Sequence, residues 1–123
     1  MLKKFAYSRI HIVIWFCYLV LLLYSTLTPL SLPPMGIEHE DKFLHLGAFF
    51  VLAFIFPWTI LYYRQICVFL SLTSIGCIIE ILQAILPINR SGDPIDAAAD
   101  MLGVICGIVA VNLIARNRFS SRI

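Results

Sequence analysis

Four stretches of this chain are apolar over the length needed to cross a bilayer, and nothing else in the sequence restricts the fold as strongly. A spanning helix takes about 20 mostly apolar residues. Residues 10–27, 43–63, 66–86 and 97–115 each meet that requirement. The chain has 123 residues, of which 61% are hydrophobic and 13% charged. A soluble domain of that size could not hide so much apolar surface, because small folds bury a limited share of their area. Lipid covers what a core cannot. The sequence therefore predicts one all-α domain over 1–123, an integral membrane bundle of four transmembrane helices.

The breaks between the runs carry their own signals. Pro29, Pro33 and Pro34 end the first run and Pro87 closes the third, while Asp96 stands where an N-cap of the fourth is expected. Pro57 lies inside the second run and predicts a kink or early fraying there. Lys3, Lys4 and Arg9 ahead of the first run also suit a signal peptide. That run is long and has no small-x-small site before Pro29, so an uncleaved helix is expected. Cys17, Cys67, Cys77 and Cys106 form no C-x-x-C pair and have no histidine at zinc-like spacing, so they are expected to be buried, small apolar side chains.

Charge sets the expected orientation. Lys3, Lys4, Arg9, Arg64, Arg116, Arg118 and Arg122 fall on one side of the four spans, with only Lys42 and Arg90 opposite. The positive-inside rule then places both the N and C termini in the cytoplasm. Glu38, Glu40, Asp41, Glu80, Asp93, Asp96 and Asp100 fall in the outer loops or outer helix halves. Trp58, Tyr62 and Tyr63 are expected at the inner interface. A net charge of +2 and the lack of a basic patch interleaved with aromatics argue against a nucleic-acid partner. Ala99, Gly103 and Gly107 recur every four residues and form a ridge for close helix approach, within the bundle or between copies.

Within the last three runs each helix carries one ionisable residue: His45, Glu80 and Asp100. Such groups need partners or water, because a charge near the bilayer centre costs about 2.5–3.5 kcal/mol on insertion scales. Asp41 shares a helix face with His45, Glu80 with Gln83, and Asp96 with Asp100. At about 1.5 Å per residue, Glu80 lies about 9 Å below Leu86, and His45 and Asp100 about 6 Å below Asp41 and Asp96. The faces reach similar depth, so they are expected to converge on a shallow cavity open to the outside. The pairs Asp41–His45 and Asp96–Asp100 also echo one another as a faint parallel repeat.

These residues make His45, Glu80, Asp96 and Asp100 the candidate catalytic set. Asp41, Lys42, Gln83, Arg90 and Ser91 are the candidate ligand-binding residues. Arg90, in the turn 89–94, is either a brace for the acids or a planar fork for a phosphate or carboxylate. No H-E-x-x-H or comparable spacing supports a metal, so neither a metal nor another cofactor is expected. Ser91 lacks the strand-turn-helix elbow of a nucleophile.

The set resembles the VanZ-like family of small bacterial membrane proteins. The likeness rests on Asp41-Lys42-x-x-His45 opening the second run, Glu80-x-x-Gln83 in the third, Arg90-Ser91, and Asp96-x-x-x-Asp100-x-x-Gly103 entering the fourth. It covers about residues 29–107, and departs from the family at Asp100, where Asn is usual. The resemblance implies a multi-pass protein of the bacterial cytoplasmic (inner) membrane. The family's named member is associated with resistance to teicoplanin-type glycopeptides, which act on cell-wall precursors outside the membrane. The resulting expectation is an envelope protein that binds or modifies an anionic lipid or lipid-linked head group at the outer leaflet. Arg90 and Lys42 would hold the anion, His45 and Glu80 would handle protons, and Asp96 and Asp100 would orient them. Two other readings stay open: a non-enzymatic structural or accessory protein whose polar network only fixes helix packing, and a proton or ion conduit. The conduit is disfavoured because the inner half offers no matching polar residues to continue a path.

Overall fold

A computed structural model describes residues 9–29, 36, 39–58 and 64–120. Four helices make up the described chain: α1 (Arg9–Leu27), α2 (Glu40–Phe54), α3 (Gln65–Ile85) and α4 (Pro94–Ser120), with no strand among the described residues. The helices α1, α3 and α4 are long and apolar enough to cross a membrane. With its all-α architecture, the chain is by length and composition a multi-pass membrane protein. Tyr62, Tyr63, Pro33, Pro34, Lys3, Lys4, Glu38 and Arg122 lie outside the described residues.

The second run departs from its expected extent. Its described helix stops at Phe54 after 15 residues, short of the 43–63 span. Pro57 is the physical reason. It has no N–H to give to the Ala53 carbonyl, four residues back, so the helical ladder cannot pass it. Orphan carbonyls at a buried helix end must find donors, or each costs about 1–3 kcal/mol. The indole N–H of Trp58 donates to Ala53 O at 3.0 Å, and that of Trp15 donates to Leu52 O at 3.0 Å. The His11 ring nitrogen donates to Ile55 O at 2.9 Å. Trp58, expected at a membrane interface, is thus buried and used as a cap.

The same contacts fix helix order. Trp15 on Leu52, Tyr18 OH on Ala48 O and His11 on Ile55 run in opposite sequence directions, so α1 and α2 are antiparallel. Gln83 near the end of α3 donates to Thr26 O near the end of α1, so those two are parallel. At its own end, α3 stops before Pro87. Leu86 is extended (φ −83°, ψ 144°), the conformation that a residue before proline prefers.

The closest packing joins α2 to α4 along the small-residue ridge. A Cβ on Gly103 would strike Leu46 O and lie 3.0 Å from Phe50 N; one on Gly107 would lie 2.7 Å from both Ala53 Cβ and Phe50 O. The two helices therefore meet backbone to backbone. Phe49, Leu52, Leu72, Ile79 and Val104 fill the interior around this seam. Large apolar side chains such as Ile14, Val20, Ile66, Ile85 and Leu113 face outward instead, as lipid contact requires. The four cysteines are free and also face outward, not inward as expected, because the outer faces of a membrane bundle are as apolar as its core.

Replacing Gly103 by Ala is expected to push α2 off α4 and to destabilise the bundle by about 1–3 kcal/mol. Gly47→Ala, where nothing lies within 4 Å, is expected to be neutral or stabilising, since Ala is the better helix former. Unfolding in mixed micelles measures both.

Candidate functional site

The start of α4 sets the geometry. Asp93 Oδ1 accepts the Ile95 N–H at 2.9 Å, and Pro94 occupies the first helical position. Asp93 is therefore the N-cap, and α4 begins three residues before the expected 97. This correction moves Asp96 into the first turn, where it turns inward and is buried. The Asp-Pro dipeptide was the signal for it. Just upstream, the backbone of Gly92 lies against α3, where an added Cβ would strike Glu80 O and approach Ala84 Cβ to 2.9 Å. That approach brings the Asp93 N–H within 2.9 Å of Glu80 Oε2, to which it donates.

Three helices then bring their polar residues together. On α2, Lys42 Nζ lies 3.0 Å from Asp41 Oδ2, 3.2 Å from Asp93 Oδ2 and 3.1 Å from Asp96 Oδ1. One helical turn deeper, His45 Nδ1 donates to Asp100 Oδ1 at 2.9 Å. The same nitrogen is 3.8 Å from Glu80 Oε1, and Nε2 is 3.9 Å from Asp96 Oδ2. Side-chain exposure falls along this line from 57% at Asp41 through 22% at Lys42 to 1% at Asp100. The inner part of the cluster is enclosed by protein and not spread along an open cavity. Gly76 on α3 makes room for it: a Cβ there would sit 2.8 Å from Asp100 Oδ2. Among the described residues, Glu80 Oε1 and Asp100 Oδ2 are buried without a hydrogen-bond partner.

The structure thus gathers Asp41, Lys42, His45, Glu80, Asp96 and Asp100, and adds Asp93, which had no assigned role in the sequence reading. Gln83 goes elsewhere: its amide closes the Thr26 carbonyl on α1, a structural bond. Arg90 is half-buried and Ser91 exposed, both in the loop before α4. At the opposite end of the bundle, Gln65 and Asn112 exchange two amide hydrogen bonds of 2.8 and 3.0 Å. Neither residue stands out in sequence, since uncharged amides leave the apolar runs unbroken.

Chemically, the cluster sets five carboxylates against one lysine and one histidine. Lys42 has three N–H donors and spends them on three carboxylates, so an incoming anion would have to displace one. His45, flanked by three acids, is placed to exchange a proton with a carboxylate or to share a cation with it. Comparison with known proteins returns no match: no family model, no curated protein and no solved structure is similar to this chain.

Asp93 gives a pH signature. The Ile95 N–H, and after it the Lys42 ammonium, hold its carboxyl below the usual carboxylate range. A lowered folded pKa contributes stability that is present above the unfolded value, about 3.9, and lost as pH falls through the folded one. Asp93→Asn is expected to lower the melting temperature at pH 6. The gap to wild type should close as the pH drops below about 4.

Proposed function

We propose that the chain is a VanZ-like protein of the bacterial cytoplasmic membrane that binds or modifies the head group of an anionic lipid or lipid-linked cell-wall precursor. In this reading both termini are cytoplasmic, the segment 43–63 completes a fourth span, and the polar cluster faces the outer leaflet. The observation that supports it is the enclosure of His45 among Glu80, Asp96 and Asp100 at one end of the bundle. Ionisable groups within membrane helices are expensive to keep and tend to mark function. His45 and Glu80 form the proton-handling pair, Asp96 and Asp100 orient them, and Arg90 in the adjoining loop meets the anion. A link to teicoplanin-type resistance belongs to the same reading, through the chemistry of wall precursors outside the membrane.

A second reading has its own observation. Lys42 bridges α2 to the start of α4 through Asp93 and Asp96, as a brace would in a purely structural or accessory protein. The two separate by experiment. Lipid retention on the detergent-solubilised protein, read by native mass spectrometry, is expected to favour phosphatidylglycerol over phosphatidylcholine. Arg90→Ala is expected to weaken that retention about tenfold, the worth of one charge-assisted hydrogen bond. Equal retention of both lipids, unchanged in Arg90→Ala, would leave the brace as the better account.

A further inference from the structure

We propose that His45, Glu80 and Asp100 form a binding site for one first-row divalent cation, Zn²⁺ or Mn²⁺, enclosed between α2, α3 and α4. The inference stands apart from the anion contact at Arg90 and, where an ion is bound, gives His45 and Glu80 the role of ligands in place of the proton exchange proposed above.

Geometry carries it first. Each of the three residues offers one ligand atom, and these atoms lie within 4.8 Å of one another. Two donors each about 2.1 Å from one ion stand about 3.4 Å apart in the tetrahedral shell that zinc prefers, and about 3.0 Å apart at the right angle of an octahedral one. His45 Nδ1 is 2.9 Å from Asp100 Oδ1 and 3.8 Å from Glu80 Oε1, so small side-chain rotations bring all three onto a common ion.

Glu80 is the independent pointer. The residue is 7% exposed, its Oε2 is anchored by the Asp93 N–H, and its Oε1 is aimed at the imidazole without a hydrogen-bond donor. Asp100, at 0% exposure, leaves Oδ2 in the same condition. A buried carboxylate oxygen without a donor keeps its full desolvation penalty. A cation at Glu80 Oε1 offsets that penalty there, and the surplus of acids over bases in the cluster draws positive charge.

The surroundings match what metal ligands need. For Nδ1 to bind the ion the neutral ring takes its Nε2–H tautomer, the Nδ1 proton passing to Nε2 by way of solvent, or leaving to solvent where both nitrogens carry one. That nitrogen faces Asp96 Oδ2 at 3.9 Å, and Asp96 is itself held by Lys42. That separation is longer than a hydrogen bond, and closing it would let the carboxylate fix the tautomer and orientation of a metal-bound ring. The donor set narrows the ion: imidazole suits Zn²⁺ and carboxylates suit Mn²⁺, whereas Mg²⁺ and Ca²⁺ prefer all-oxygen shells. No local motif reveals such a site, since its ligands come from three helices and lie 35 and 20 residues apart in the chain.

The test uses the full chain in mild detergent, treated with chelator, desalted and titrated with Zn²⁺ or Mn²⁺. The expected result is one ion per chain and a higher melting temperature. With Mn²⁺, electron spin-echo spectroscopy should show a single coordinated imidazole nitrogen. Glu80→Gln should weaken binding by at least about tenfold, and Asp96→Asn by about 10–100-fold through its hold on the ring. Replacing all four cysteines by Ser should leave affinity unchanged and so excludes thiol binding. Absence of saturable binding by wild type overturns the proposal without any variant. So does a bound Mn²⁺ with no imidazole signal, or equal affinity in folded Glu80→Gln.

Discussion

Gly103 and Gly107 present no side chain to α2, and the backbone around Leu46, Phe50 and Ala53 lies in the space that a Cβ would take. Everything at the polar end depends on that approach. Because α2 and α4 meet backbone to backbone, a histidine on one reaches a carboxylate on the other across a single hydrogen bond. A larger residue in the seam would separate the helices and leave His45, Asp96 and Asp100 buried without one another. Lipid supplies no hydrophobic force to press the helices back together, so close packing and polar contacts must hold them.

The same economy governs the ends of the helices. Where lipid excludes water, a broken ladder has to find its partners within the protein, and several of the described ends find them in side chains. At the end of α2 the closers are Trp15, Trp58 and His11; at the end of α1, Gln83; at the start of α4, Asp93. The prolines decide where ladders break and the polar side chains decide how they are closed. The enclosed part of the cluster differs from these caps. Glu80 Oε1 and Asp100 Oδ2 close no ladder and have no donor, so stability alone gives no reason to bury them. This contrast separates the His45–Glu80–Asp100 group from the structural polar residues around it.

Much of this was legible in the sequence, and the failures have physical causes. The membrane helices showed as long apolar runs; Pro57 pointed to a kink or fraying in the second run, and α2 stops at Phe54, short of the expected 63. The meeting of His45, Glu80 and Asp100 at one level followed from helical rise, and the packing ridge from its four-residue spacing. Asp96 was misread as the N-cap because the apolar run begins just after it, whereas the Asp93-Pro94 pair starts the helix a turn earlier. The cysteines were placed inside by a soluble-protein habit that fails when the solvent is also apolar. Gln83 on Thr26 and Gln65 on Asn112 depend on how each helix is rotated against its neighbour, which a single sequence does not encode locally.

The account rests on His45 and Asp100 meeting across the α2–α4 seam, and a double-mutant cycle tests this most directly. His45→Gln, Asp100→Asn and the pair together would be unfolded in mixed micelles, and their free energies compared. The account predicts a coupling energy above about 1 kcal/mol, as for residues in direct contact. Effects that add within about 0.5 kcal/mol would contradict it, since the two side chains would then not share a buried interaction.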